Sequence, residues 1–378
     1  MSKILTIKYV DGDGNKIADE EKISQLEPEY SIKAKEIVGY MPIQSVIEGV
    51  ASSNIDIIFT YCKECTDLAF KGLDANGNET DEESNIISYE VTGIGECNVS
   101  KVAIPREYNG KPVTDIKDNA FRNNSTIKTL VVGDNIGKIG ESAFNTCTGL
   151  EEITIDTKNN LSPSFLLDGC RKLKKVTLGK NISNFPYALF IRCTNLETIV
   201  INTEQDITIG SRVFESCNSV KEILVNEGNT KYKSVDGVLY SKDGSKLVLY
   251  PLAKEGEEFA FDKNVKEIGN RAFERNKKVK KIIVPNTVEK IGETAFQYCT
   301  GLEEITIDTK NNLSSSYILY GCSNLKKVTL GKNISNLPYC LFTWCTNLET
   351  IIINPEQDIT IGSRVFESCN SVKEILVN

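Results

Sequence analysis

The side chains best able to do chemistry in this 378-residue chain are twelve cysteines, at positions 62, 65, 97, 147, 170, 193, 217, 299, 322, 340, 345 and 369. The chain has no histidine. That removes Cys–His nucleophile pairs, imidazole metal ligands and imidazole pH switches in one step. Cys62 and Cys65 form a single CxxC. A structural zinc takes four ligands, and neither a second pair nor a histidine completes the set; zinc, a local disulfide and plain thiols all remain open for this pair. The other sulfurs are periodic. Cys147, Cys170, Cys193 and Cys217 recur every 23 or 24 residues, and so do Cys299, Cys322, Cys345 and Cys369. A cysteine on a repeat period reads as one small buried hydrophobe per repeat. The paired carboxylates Glu151-Glu152 and Glu303-Glu304 sit in strand-like runs. Neighbours there point to opposite faces, so they do not converge on one bond as glycosidase carboxylates must. GIGECN at 93–98 lacks the GxGxxG spacing of a phosphate loop. The formal charge of −8 offers no basic face for nucleic acid. No catalytic residue, metal site or cofactor is expected, and the chain reads as a non-enzyme.

The elements that carry these residues are repeats, and they decide the fold. Residues 139–226 match 291–378 at an offset of 152, with fifteen differences over 88 aligned positions. Inside each copy runs a shorter period. An apolar residue sits three places before each Cys, at Phe144, Leu167, Phe190 and Phe214 and again at Phe296, Leu319, Phe342 and Phe366. Phe121 and Phe273 extend both series backwards, with Asn124 and Asn276 in place of Cys, giving ten units. Each unit has a turn, an AFxxC-like segment, then LxxIxI, as in Leu150, Ile153 and Ile155. The last part alternates with period 2 and reads as a short strand. One unit cannot bury its apolar face; stacked units can, with a parallel sheet along one side.

The pattern IGxxAFxxCxxLxxIxI resembles the BspA-type leucine-rich repeats over residues 86–378. The resemblance implies a β-rich α/β solenoid of 23–24-residue repeats, with a parallel sheet on one face and short helical turns on the other. Residues 226–262 interrupt the period, and the alternation around Asp243-Gly244 predicts a β-hairpin insertion. Residues 1–62 do not fit the repeat. IKYVDGDGNKI and the following KAKEIVGY resemble a mucin-binding (MucBP-like) module, which implies a small β-grasp-like domain. The turn holding Asp11, Asp13, Asn15 and Asp19 has Lys16 and Lys22 where a calcium loop needs Gly and Glu, so it reads as a hairpin turn. The stretch 63–85, with DANGNETDEES, reads as an acidic linker.

Two sets of residues stand out as candidate ligand contacts. One outward strand column runs through Thr154, Thr177, Val200 and Leu224, then Ile283, Thr306, Thr329, Ile352 and Leu376. Its apolar members (Val200, Leu224, Ile283, Ile352, Leu376) read either as an interaction stripe or as residues chosen for strand propensity. The beside-lying column, Glu152, Lys175, Thr198 and Glu222, suits pairing across rungs. The second set comes from comparing the two copies. Five of the fifteen differences lie in the two places before a Cys: Asn145/Gln297, Thr146/Tyr298, Asp168/Tyr320, Ile191/Thr343 and Arg192/Trp344. Tyr298, Tyr320 and Trp344 read either as interface anchors or as surface drift.

The reading is non-catalytic binding of protein or glycan, as a cell-surface adhesin or scaffold. The family resemblance implies host-protein, matrix or mucin-type partners and a surface or secreted location. No membrane insertion is expected, because no run of eighteen apolar residues occurs. The first residues carry no secretory signal. A cytoplasmic protein–protein scaffold is therefore the alternative, unless export and anchor segments lie outside this sequence. The final strand-like run, VKEILVN, lacks a polar cap and suggests a longer protein or end-to-end self-association.

Overall fold

The computed structural model describes residues 3–25, 27–44, 46–226 and 228–377. They form two compact units, Met1–Cys217 with Asn226–Asn229, and Asn218–Val225 with Thr230–Asn378.

The first unit opens with six strands: β1 (Lys3–Asp11), β2 (Lys16–Gln25), β3 (Glu29–Lys33), β4 (Tyr40–Pro42), β5 (Val46–Val50) and β6 (Ile55–Lys63). Period-2 alternation in β1 and β6 puts Leu5, Ile7 and Tyr9 on the same side as Ile57, Phe59 and Tyr61. These residues and Ala51 form a buried core of the module's own. The sheet order is β2-β1-β6-β4, with β1 and β6 parallel. A β-grasp-like fold leads one to expect a helix across such a sheet. Among the described residues the ribbon β3–β5 lies between β2 and β6 in the chain instead, and the module has no helix.

The stretch 63–85 is not an open linker. Ala69–Leu73 pairs antiparallel with Ser88–Gly93, and Glu79–Thr80 folds back on it. Leu68 and Leu73 are buried, and Cys65 is disulfide-bonded to Cys97. The polar composition belongs to the exposed turn between these strands, where the Asp74 carboxylate accepts the backbone N–H groups of Asn76 and Asn78 at 2.8 and 2.9 Å. Cys65 therefore pairs across 32 residues rather than with Cys62, which is a free thiol.

The first array stacks Lys101–Ala103, Thr129–Val132, Glu152–Ile155, Lys175–Leu178 and Thr198–Ile201 as parallel strands. In the second unit Glu258–Ala260, Lys281–Val284, Glu304–Ile307, Lys327–Leu330, Thr350–Ile353 and Glu374–Val377 do the same. Ile153, Val176 and Ile199 in one array, and Ile305, Val328 and Ile351 in the other, point inward and are buried. Val238–Ser241 and Lys246–Leu249 pair antiparallel around Asp243-Gly244, as the turn chemistry predicts, and Tyr232–Val235 adds a third antiparallel strand.

The eight periodic cysteines form two ladders. Each buried Sγ–H points at the carbonyl oxygen of the preceding rung's AFxxC segment: Cys170 at Phe144 (3.1 Å), Cys193 at Leu167 (3.1 Å), Cys322 at Phe296 (3.1 Å) and Cys345 at Leu319 (3.2 Å). The thiol is thus both a small hydrophobe and a weak donor to a buried carbonyl. Where Asn276 replaces it, the amide reaches the Pro251 and Leu252 carbonyls and accepts from the backbone N–H of Lys278 and Val279.

The AFxxC segments, expected as short helical turns, are not helical. Among the described residues the one helical element is a 3-10 turn, Glu83–Asn85. The reason lies in the backbone. Each unit has two left-handed residues four places apart, such as Ser142 (φ 55°) with Thr146 (φ 55°) and Thr294 (φ 56°) with Tyr298 (φ 55°). A right-handed helix needs negative φ throughout. Most of these positions are not glycine, so composition does not betray them. Gly169 (φ 74°) is an exception. Gly169→Ala is expected to lower stability by about 1–2 kcal/mol, the cost of a Cβ in this region. Urea denaturation checks it; an unchanged midpoint would show that the turn relaxes.

Candidate functional site

The candidate residues fall into two groups, one on strands and one on turns. On the strands, the outward column of the first array runs in register through Ala103, Val131, Thr154, Thr177 and Val200. Its first four members are buried, although they point away from the repeat core. The first three lie against the N-terminal module, and Thr177 lines a pocket with its Met41 and Pro42. Met41 packs with Cys62 against Ala103 and Val131. The Thr154 hydroxyl donates to the Ile43 carbonyl at 2.8 Å. The Lys101 ammonium reaches the Gly12 carbonyl and the Asp13 carboxylate, the latter at 2.9 Å. Beside this contact lies a cleft of about 320 Å³ lined by Gln44, Thr60, Lys101, Thr129, Glu152 and Lys175 among others. Burial at this junction pushes the Cys62 thiol up to about 12, so it stays protonated and unreactive.

In the second array the equivalent column is open. Ile283 is 48% exposed and Leu376 43% exposed, while Thr306, Thr329 and Ile352 are half-buried. Val200 and Leu224 are half-buried as well. Across the rungs, Glu152 pairs with Lys175 at 3.1 Å, as the spacing suggests. Glu151–Lys174 (3.0 Å) and Glu303–Lys326 (2.7 Å) form a further row. Such exposed pairs contribute about 0–1 kcal/mol each and mark a solvated surface, not a reaction centre.

On the turns, the differences between the copies resolve into one exchange. In the first copy Asp168 is buried, and Arg192 grips both of its carboxylate oxygens at 2.9 and 2.6 Å. The Asn145 amide donates to the same carboxylate at 3.2 Å. In the second copy those three positions hold Gln297, Tyr320 and Trp344. The ion-pair network is replaced by an aromatic ladder. Tyr298 meets Tyr320 edge-on at 5.5 Å, Tyr320 meets Tyr317 at 5.7 Å, and Tyr317 meets Tyr339 at 5.2 Å. The Arg275 guanidinium lies 5.0 Å from the Tyr298 ring centre. Trp344, the one tryptophan of the chain, is 51% exposed on the same series of turns, held at φ 64°.

Tyr317, Tyr339 and Arg275 were not among the sequence candidates. Tyr317 was visible as one of the fifteen differences (Phe165 in the first copy); Tyr339 was not, because both copies carry Tyr there. Ile191 and Thr343 are both buried, so that difference is a packing exchange and not a surface one. Hydrogen bonding with Tyr317 pushes the Tyr339 hydroxyl to about 12, and burial raises that of Tyr320. Both phenols are thus neutral hydrogen-bonding groups at the rim of apolar rings. Among the described residues no group of three Cys, Asp or Glu side chains is placed to hold a metal ion.

Comparison with known proteins agrees with this architecture. The BspA type leucine rich repeat region matches residues 114–235 and 257–378, together more than half of the chain, and the MucBP domain matches residues 5–62. A leucine-rich repeat protein from Eubacterium ventriosum is 22% identical, with 77% of this chain and 80% of that one covered and a TM-score of 0.55, which shows a shared fold. A leucine rich cell surface protein from Faecalibacterium prausnitzii (22% identity, 84% and 94% covered) has a TM-score of 0.48. The pneumococcal vaccine antigen PcpA (22%, 84% and 98% covered) has a TM-score of 0.49. No curated protein sequence matches. With its repeats and its parallel strand stacks both accounted for, the chain belongs to the BspA-type leucine-rich-repeat proteins.

Proposed function

We propose that this protein is a non-catalytic binding scaffold of the cell surface, and that it takes a protein or glycan partner on the aromatic ladder of its second array. The observation that carries the reading is the exchange of the Asp168–Arg192 network for Tyr298, Tyr320 and Trp344, added beside a Tyr317–Tyr339 pair that the first copy matches with Phe165 and Tyr187. The array folds with either solution, so the aromatic version is not demanded by the fold. Half-buried, mutually braced tyrosine rings with hydroxyl rims, beside an exposed Trp344, suit protein hot spots and the apolar faces of sugars. The outward column Ile283, Ile352 and Leu376 is a second contact surface in this reading.

The Cys65–Cys97 disulfide supports an oxidising location, since such bonds are rare in the cytosol. Of the ten free thiols nine are buried and the tenth, Cys369, is half-buried, so they are shielded from an oxidising medium. We assign the module to residues 1–62 and the repeat region to the chain beyond 86, and regard the module as a helix-free β-grasp variant.

The test is binding of the full chain to a panel of mucins, matrix proteins and glycans, beside the variant Y298A/Y320A/W344A. The triple variant is expected to lose about tenfold or more in affinity, the scale of an anchor cluster. Equal binding by both proteins would place the site elsewhere.

A further inference from the structure

The two arrays present the same strand face in different states, and the difference is instructive. In the first array Ala103, Val131 and Thr154 are covered by the module, and Thr177 lines a pocket with its Met41 and Pro42. In the second array the residues in the same register are Ala260, Ile283, Thr306 and Thr329. The side chains that receive the module thus recur as Ala, Ile for Val, Thr and Thr. Glu152 and Lys175, which line the cleft beside the docked module, recur as Glu304 and Lys327. The second face is exposed at Ala260 and Ile283 and half-exposed at both threonines.

Two positions differ in charge: Thr129, which lines the cleft, has Lys281 in its place, 3.8 Å from the Glu258 carboxylate, and one contact of the module is reversed. Lys101, which holds Gly12 and Asp13 of the module, has Glu258 in its place on the second array, as the pairing of Lys101 with Thr129 and of Glu258 with Lys281 shows. Glu258 set against Asp13 is a like-charge pair, which disfavours the chain's own type of module at this face. The same carboxylate favours a module with a basic turn.

We propose that the strand face of the second array is a docking face for a second β-module of the kind that covers the first. This module is carried by a partner protein and has a lysine or arginine where this chain's module has Asp13. It lays an extended segment over Ala260 and Ile283, with an apolar side chain in the role of Met41. Its main-chain carbonyl takes the hydroxyl of Thr306, as Ile43 takes that of Thr154. Its basic turn meets Glu258. The surface goes beyond the aromatic ladder and does not depend on it.

The probe is the module itself, residues 1–64, whose core of Leu5, Ile7, Tyr9, Ala51, Ile57, Phe59 and Tyr61 closes without any array residue. Wild-type and D13K fragments are titrated against the full chain, whose first face is already occupied. The D13K fragment is expected to bind roughly fivefold more tightly than wild type, the upper range for one exposed charge pair. Glu258→Lys in the full chain reverses that order, and Ile283→Arg abolishes binding of both. Failure of D13K to bind, or an order indifferent to Glu258→Lys, overturns the proposal. If circular dichroism finds the fragment unfolded, the same charges are compared in the full chain by sedimentation. Self-association of D13K that disappears in D13K/E258K supports the face, and its absence overturns it.

Discussion

Phe342→Ala lowers the stability of the second unit by about 3–5 kcal/mol, the range for deleting a fully buried aromatic. Phe342 is completely buried and stacks on Phe366 at 5.8 Å. Its backbone is pinned at both ends. Its N–H donates to the Val365 carbonyl at 3.0 Å, and its own carbonyl accepts the Cys369 thiol at 2.9 Å. Collapse of the cavity would require two rungs to shift together, so little of the loss is recovered. Phe366 is only partly buried, and Phe366→Ala should cost about 1–2 kcal/mol. Urea unfolding of the two variants measures the difference. Equal midpoints would show that the phenylalanine ladder is not the spine of the array.

Thr154→Arg and Thr306→Arg should differ by about 2 kcal/mol or more, though the two threonines hold equivalent places in a near-exact duplication. Thr154 is buried under the module and donates to Ile43. An arginine there must either push the module aside or bury an unpaired charge, and both are costly. Thr306 faces outward on an open strand and is half-buried. An arginine there can extend into water and should stay within about 0.5 kcal/mol of wild type. Hydrogen exchange locates the effect. In Thr154→Arg the amides of Tyr40, Met41, Ile43 and Gln44 lose protection while those of Glu152–Ile155 keep it. Equal stability of the two variants would mean that the module does not rest on the strand face.

The repeat, its strand columns and the burial of the periodic cysteines were legible because they depend on spacing alone. Other features depend on conformation or on long-range closure. The left-handed residues that abolish the helical turns are far more often Ser, Thr, Arg, Asn or Tyr than Gly, so their backbone angle leaves no compositional mark. The stretch 63–85 looked like a linker because its exposed turn outweighs Leu68 and Leu73 in composition. Cys65 was read with its neighbour Cys62, whereas its partner is brought near by the pairing of Ala69–Leu73 with Ser88–Gly93. The covering of one strand face and not the other was hidden for a plainer reason. Thr154 and Thr306 sit in identical local sequence, and only the module distinguishes them. Among the candidate contacts, Tyr298, Tyr320 and Trp344 could be found by comparing copies, while the Asp168–Arg192 network that they replace could not be seen as a unit.

Trp344 offers the most direct test that the aromatic turns are the binding site, because it is the sole tryptophan and is half-exposed on the same series of turns as the ladder. Its emission is to be recorded while the full chain is titrated with whichever mucin, matrix protein or glycan it binds. The account predicts a saturable blue shift and protection from acrylamide quenching, with the same midpoint as the binding isotherm. Saturable binding that leaves both the emission and the quenching of Trp344 unchanged would contradict it.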